Sequence, residues 1–202
     1  GRFRTLPALV GGIVTGVALT AGAAWWTVDL VRGDAPAEPL GPPTYRLVTA
    51  ESGVDHTYDG EFEFFVGGGV AIFDCDGDFL PDMYLAGGEN SARLYRNTSG
   101  SGISFVEVDA PELEVTGVAG AYPLDVDSDG IVDLAVLRVG ENLMMRGLGD
   151  CRFEPANDLW GIDGGDGWTV SFSATWEANE TWPTMVFADY IDLATVDGDR
   201  TC

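Results

Sequence analysis

GVAIFDCDGDFLPDMYLAGG, residues 69–88, reads as an apolar run, an aspartate-rich loop and a second apolar run. The same plan returns in GAYPLDVDSDGIVDLAVLRVG, residues 120–140. The flanking runs are short, rich in β-formers and bounded by glycine, so each unit predicts two strands joined by a tight loop. Downstream, Arg93-Leu94-Tyr95-Arg96 followed by Phe105 matches Asn142-Leu143-Met144-Met145-Arg146 followed by Phe153, which supplies further strands to each unit. A third, eroded copy is VSFSATWEANETWPTMVFADY, residues 170–190. Its acidic start is read at Glu177, so the starts Asp74, Asp125 and Glu177 are 51 and 52 residues apart. A period near 50 with several short strands per unit is the signature of propeller blades. TYRLVTA, residues 44–50, alternates and reads as a first strand. Nothing beyond it has sustained helical periodicity.

The expected fold class is therefore all-β. It is a partial β-propeller of about three blades of four-stranded antiparallel sheet, spanning residues 44–202. Closed propellers have roughly four to eight blades. About three cannot close a ring, and the expectation is that they belong to a longer propeller.

Both loops, Asp74–Asp82 and Asp125–Asp133, place aspartate at positions 1, 3, 5 and 9. Calcium takes about six to eight oxygen ligands, mostly carboxylates and carbonyls. The expected ligands are Asp74, Asp76, Asp78 and Asp82 with the carbonyl of Leu80, and Asp125, Asp127, Asp129 and Asp133 with the carbonyl of Ile131. Two Ca2+ sites are expected. An EF-hand shares this opening but needs an acidic residue at position 12 and a helix on either side. Position 12 is Leu85 in one loop and Val136 in the other, and strand-like runs follow both. The competing structural reading is an acidic turn held by Asx hydrogen bonds without metal. Four carboxylates within nine residues repel one another unless a cation lies among them, which favours calcium. Phe79 stands where the second loop has Gly130, and a left-handed backbone there strains phenylalanine. Glu177, Asn179 and Thr181 of the third copy are too poor in charge to hold an ion. Asp197-Gly198-Asp199 reads as a solvated turn.

Composition narrows the partners. The 202 residues carry 33 acidic against 10 basic side chains, a formal charge of −23, and every basic residue is arginine. Such a charge excludes nucleic acid and anionic lipid as electrostatic partners and favours cations. A hydrophobic content of 46% argues against disorder over most of the length. The one histidine, His56, has no nucleophile–base companions in the sequence, and no small-molecule substrate is evident. No catalysis is expected. Cys75, Cys151 and Cys202 cannot all pair with one another; a Cys151–Cys202 bridge and free, partly buried thiols both remain open.

Ahead of the repeats lies TLPALVGGIVTGVALTAGAAWWTV, residues 5–28, without a charge. As a helix it would run about 36 Å, enough to cross a hydrocarbon core of about 30 Å. Trp25 and Trp26 fit an interfacial belt, and Arg2 and Arg4 put the N-terminus in the cytoplasm. The rival is a cleavable signal peptide ending near Ala21-Gly22-Ala23; a retained single-pass anchor, residues 1–32, is the expectation. The lipid bilayer is then a partner through residues 6–28. Gly12, Gly16 and Thr20 form a small-residue stripe for packing on other membrane helices. Residues 33–43, GDAPAEPLGPP, form a proline-rich linker, and residues 33–202 are placed in a periplasmic or extracellular space.

VGGGVAIFDCDGDFLPDMYL, RLYRN, DVDSDGIVDL and WPTMVFADYID together resemble FG-GAP/VCBS repeats, the blades of integrin α-subunit propellers. More narrowly, residues 45–202 are similar to the cartilage-acidic-protein-like group with bacterial homologues. The resemblance implies a seven-bladed propeller in the full protein, calcium in the hairpin loops and a role in adhesion or protein–protein contact. The expected function is a membrane-anchored, calcium-binding interaction or scaffolding module. The alternative is an accessory subunit of a larger respiratory or photosynthetic membrane complex, held by its transmembrane helix.

Overall fold

A computed structural model describes residues 41–65 and 68–192. The apolar segment with Gly12, Gly16, Thr20, Trp25 and Trp26, the Asp197–Asp199 turn and Cys202 lie outside the described residues. Among the described residues, no helix is long and apolar enough to cross a membrane. The chain divides into two units after Arg46, and the second, from Leu47 on, holds all the described strands.

Two antiparallel meanders follow one another. The first is β1 (Val70–Phe73), β2 (Asp82–Leu85), β3 (Arg93–Asn97) and β4 (Phe105–Glu107), ordered as in the chain. The second is β5 (Val118–Leu124), β6 (Asp133–Gly140), β7 (Leu143–Gly147) and β8 (Phe153–Pro155). A hairpin of β9 (Gly167–Thr175) and β10 (Thr184–Asp192) comes last, and β9 starts against the end of β6 through Val139↔Trp168 and Gly140↔Gly167.

Burial explains the strand sequences. In β1, Ala71 and Phe73 point inward while Val70 and Ile72 stay exposed, the period of two expected of a sheet covered on one side. In β6, Asp133 to Leu137 are all buried. Leu134 and Val136 join the cluster with Phe73, Tyr84, Leu94 and Leu113, whereas Ala135 joins Val126 and Met144, against which Phe172, Met185 and Phe187 pack. The second meander is thus covered on both faces, and its central strand has no polar side to show. Each fully buried large side chain contributes roughly 1.5–3 kcal/mol. Where β1 meets β5, the Gly69 N–H donates to the Ala119 carbonyl at 2.9 Å, and a Cβ on Gly69 would stand 2.9 Å from Gly120 Cα. Glycine at position 69 is what allows the two backbones to touch there.

Three expectations need correction. Residues 44–48 form no strand; they precede a single helical turn, Thr49–Ser52, capped by left-handed Gly53. Alternation makes a strand only where a partner strand exists, and Tyr45 and Leu47 are exposed instead. The cysteine pairing is also different: Cys75 is bonded to Cys151, with Cα atoms 4.6 Å apart. The third unit starts one residue earlier than its acidic residues imply. β1–β2 closes on Phe73↔Asp82, β5–β6 on Leu124↔Asp133 and β9–β10 on Thr175↔Thr184. Position 1 of the third loop is therefore Trp176, and the three loops recur at a constant 51 residues. Glu177, taken as its start, is position 2.

Candidate metal centre

Each aspartate loop is closed by its ninth residue. Asp82 and Asp133 are both 0% exposed although charged side chains are rarely buried outright. Asp82 Oδ2 accepts the Cys75 N–H at 2.8 Å and Oδ1 accepts the Asn97 N–H at 2.8 Å. Asp133 repeats this with Val126 at 2.7 Å and Gly147 at 2.8 Å. Position 9 thus ties the start of its loop to the end of the third strand in the same meander. Burial pushes the Asp133 carboxyl up to about 6 against the opposing effect of those two donors, with the charges of Asp127 and Asp129 adding to the rise. Burial raises Asp82 likewise.

Positions 1, 3 and 5 wrap the turn. Asp74 accepts the N–H groups of Gly77 at 2.8 Å and Phe79 at 2.9 Å, Asp76 that of Asp78, and Asp78 that of Leu80. Asp125 accepts those of Asp129 and Gly130, Asp127 that of Asp129, and Asp129 that of Ile131. Desolvation raises the Asp74 carboxyl, but the N–H groups of Phe79, Gly77, Asp78 and Asp76 outweigh it and hold the group below its ordinary value. Asx hydrogen bonds are present, as the metal-free alternative requires. They do not exhaust the carboxylates, since each oxygen has two lone pairs. Oxygens of Asp74, Asp76 and Asp78 lie within 4.8 Å of one another, and so do those of Asp125, Asp127 and Asp133. The grouping differs between loops: Asp82 lies beside Cys75 and Cys151, whose sulfurs are committed to the disulfide, and Asp129 faces Arg146.

The donor set suits a hard cation, and a positive group already stands on it. Arg146 places Nε 2.7 Å from Asp127 Oδ2 and a terminal nitrogen 2.9 Å from Asp129 Oδ2. Those hydrogen bonds and charges raise the guanidinium pKa. The matching Arg96 approaches Asp76 only to 3.8 Å. The sequence displayed both arginines as part of the repeat, yet without a register their part in neutralising the loops was not readable. The two loops also adjoin each other: Asp74, Asp76, Gly77, Gly130, Ile131 and Asp150 line a cleft of about 270 Å³, and the disulfide sits at its edge.

Backbone strain is shared between the loops. Position 4 is left-handed in all three, at Gly77 (φ 80°), Ser128 (φ 60°) and Asn179 (φ 73°). Position 6 is left-handed in the first two, at Phe79 (φ 67°) and Gly130 (φ 86°). Each aspartate loop therefore has one glycine and one strained residue, in swapped positions; the sequence reading saw Phe79 but missed Ser128. Phe79 is 92% exposed and no packing offsets its conformation. Phe79→Gly is expected to raise stability by about 1 kcal/mol, read as a shift in urea midpoint at constant slope. A loss of stability would mean that the side chain makes a contact in solution.

The third loop has a different surface. Trp176 occupies position 1 and Ala178 position 3, while Thr184 at position 9 donates to Glu177 Oε1 at 3.1 Å. Trp182 meets the edge of Trp160 at 6.3 Å between ring centres. His56 lies away from these loops; Nε2 is 2.8 Å from the Ala86 carbonyl and the ring stands edge-on to Tyr95.

Compared with known proteins, residues 74–136 match the family of the FG-GAP-like repeat. The match runs from the first aspartate of the first loop through the second loop into β6. No curated protein matches the chain.

Proposed function

We propose, on the premise that residues 74–136 are an FG-GAP-like repeat, that this chain is a protein–protein interaction module steadied by calcium in its first two hairpin loops. The observation carrying the reading is the recurrence of one hairpin at 51-residue spacing, with aspartates at equivalent positions of two copies. Two stacked meanders and a further hairpin fit successive blades of a longer propeller. Such repeats are typically non-enzymatic. Residues 5–28 would anchor the module in a membrane, with residues 33–202 on the periplasmic or extracellular side. The stripe Gly12, Gly16 and Thr20 favours a second reading, in which the chain is an accessory subunit packed on other membrane helices of a larger complex.

Calcium held by the folded form alone stabilises it by mass action, by about 2.7 kcal/mol per site at a hundredfold excess over Kd. Addition of calcium to chelator-treated protein is expected to raise Tm. An unchanged Tm at millimolar calcium would sink the structural-ion reading. Asp129→Ala is expected to weaken binding at least tenfold at the second loop and leave the first unaltered, as two-site calorimetry would resolve.

A further inference from the structure

We infer that Arg146 is a resident counter-cation of the second aspartate loop, and that calcium enters this loop by displacing it toward Glu154. The inference rests on the calcium reading above and concerns what controls that site. Arg146 holds an oxygen of Asp127 and an oxygen of Asp129, which are the side chains at positions 3 and 5. A divalent ion bound by the same carboxylates would lie beside the guanidinium. A unit positive charge roughly 5 Å from such an ion weakens its binding about tenfold even at the dielectric constant of water.

The arginine has somewhere to go. Arg146 and Glu154 face each other across β7 and β8, and a guanidinium nitrogen is already 3.6 Å from Glu154 Oε1. A small rotation of a long side chain exchanges two aspartates for one glutamate. The first loop has no equivalent arrangement. Arg96 pairs across the strands with Val106, which offers no carboxylate, and reaches Asp76 only at 3.8 Å. The two loops, alike in their aspartates, therefore differ in affinity. The first takes calcium with little competition, and the second takes it at higher concentration and releases an arginine onto the neighbouring strand.

The test is calcium calorimetry on the full chain, with Asp74→Asn and Asp76→Asn silencing the first loop. Adding Arg146→Gln is expected to raise second-loop affinity about tenfold. It is also expected to lower Tm in chelator, because the loop loses its counter-charge. Glu154→Gln is expected to reduce affinity a few-fold by removing the arginine's second partner. Should the silenced background melt without cooperativity, the same substitutions are compared through the two-step isotherm of the otherwise unaltered chain. Equal or weaker affinity in Arg146→Gln overturns the inference alone, since the arginine would then orient the carboxylates. No calcium binding at either loop, in the unaltered chain and in Arg146→Gln with cooperative melting, overturns the calcium reading and this inference together.

Discussion

Replacing Asp133 by alanine is expected to cost about 4 kcal/mol of stability. The residue is fully buried, and both oxygens accept backbone N–H groups, from Val126 and Gly147. Alanine leaves two buried donors without partners, each costing about 1–3 kcal/mol, and parts the loop from the end of β7. Urea unfolding in chelator measures the loss without interference from metal. A change below about 1 kcal/mol would show that water reaches these donors and that the aspartate is no brace.

The same residue sets a pH dependence. Its carboxyl is pushed from the ordinary 3.8 up to about 6 by burial, so the folded state binds this proton more tightly than the unfolded chain. Metal-free stability should accordingly be greatest below about pH 4 as far as this group is concerned. It should fall by up to about 3 kcal/mol as pH rises through 6, at about 1.36 kcal/mol per pKa unit. The net charge of −23 acts in the same direction, since acid relieves self-repulsion. Asp133→Asn isolates the contribution: it should lack that part of the slope, and parallel pH profiles for the two proteins would refute the assignment.

Loss of the Cys75–Cys151 bridge is expected to cost a comparable amount, about 4 kcal/mol by chain entropy for partners 76 residues apart. Cys151→Ser, or reduction of the unaltered protein, should show it in urea unfolding. The bridge does more than close a loop. Cys75 is position 2 of the first aspartate loop, donates its N–H to Asp82, and accepts the Cys151 N–H at 3.0 Å. Breaking it should therefore weaken calcium at the first loop and spare the second. Equal weakening at both loops would mean that the two sites are coupled through the cleft they share.

Much of this architecture was legible because hairpins announce themselves locally. Two apolar runs around an aspartate loop specify strand, turn and strand, and the period specified that the units are alike. The third unit could be found but not registered, because its ligands are lost and charge was the only marker. Glu177 drew the alignment one residue late, whereas strand pairing makes Trp176 the equivalent of Asp74 and Asp125. TYRLVTA misled for a related reason: alternation reports a competent strand and says nothing of a partner. Long-range facts were out of reach. The approach of Cys75 to Cys151 depends on how one meander lies on the next, and the seat of Arg146 depends on the register of β6 on β7. Of the ten metal-ligand residues read from the sequence, Asp82 and Asp133 have a second duty that spacing alone does not reveal.

That second duty bears on the speed of ion exchange. Asp82 and Asp133 pin their loops to neighbouring strands through backbone donors of the protein itself. A loop that is already shaped has little ordering entropy to lose when an ion arrives. If the loops take calcium as proposed, association would be limited by stripping water from the incoming cation and, at the second loop, by the swing of one arginine. On the calcium reading proposed above, the module would fill and empty with the ambient ion while its surface kept one outline, which would suit a partner that reads shape.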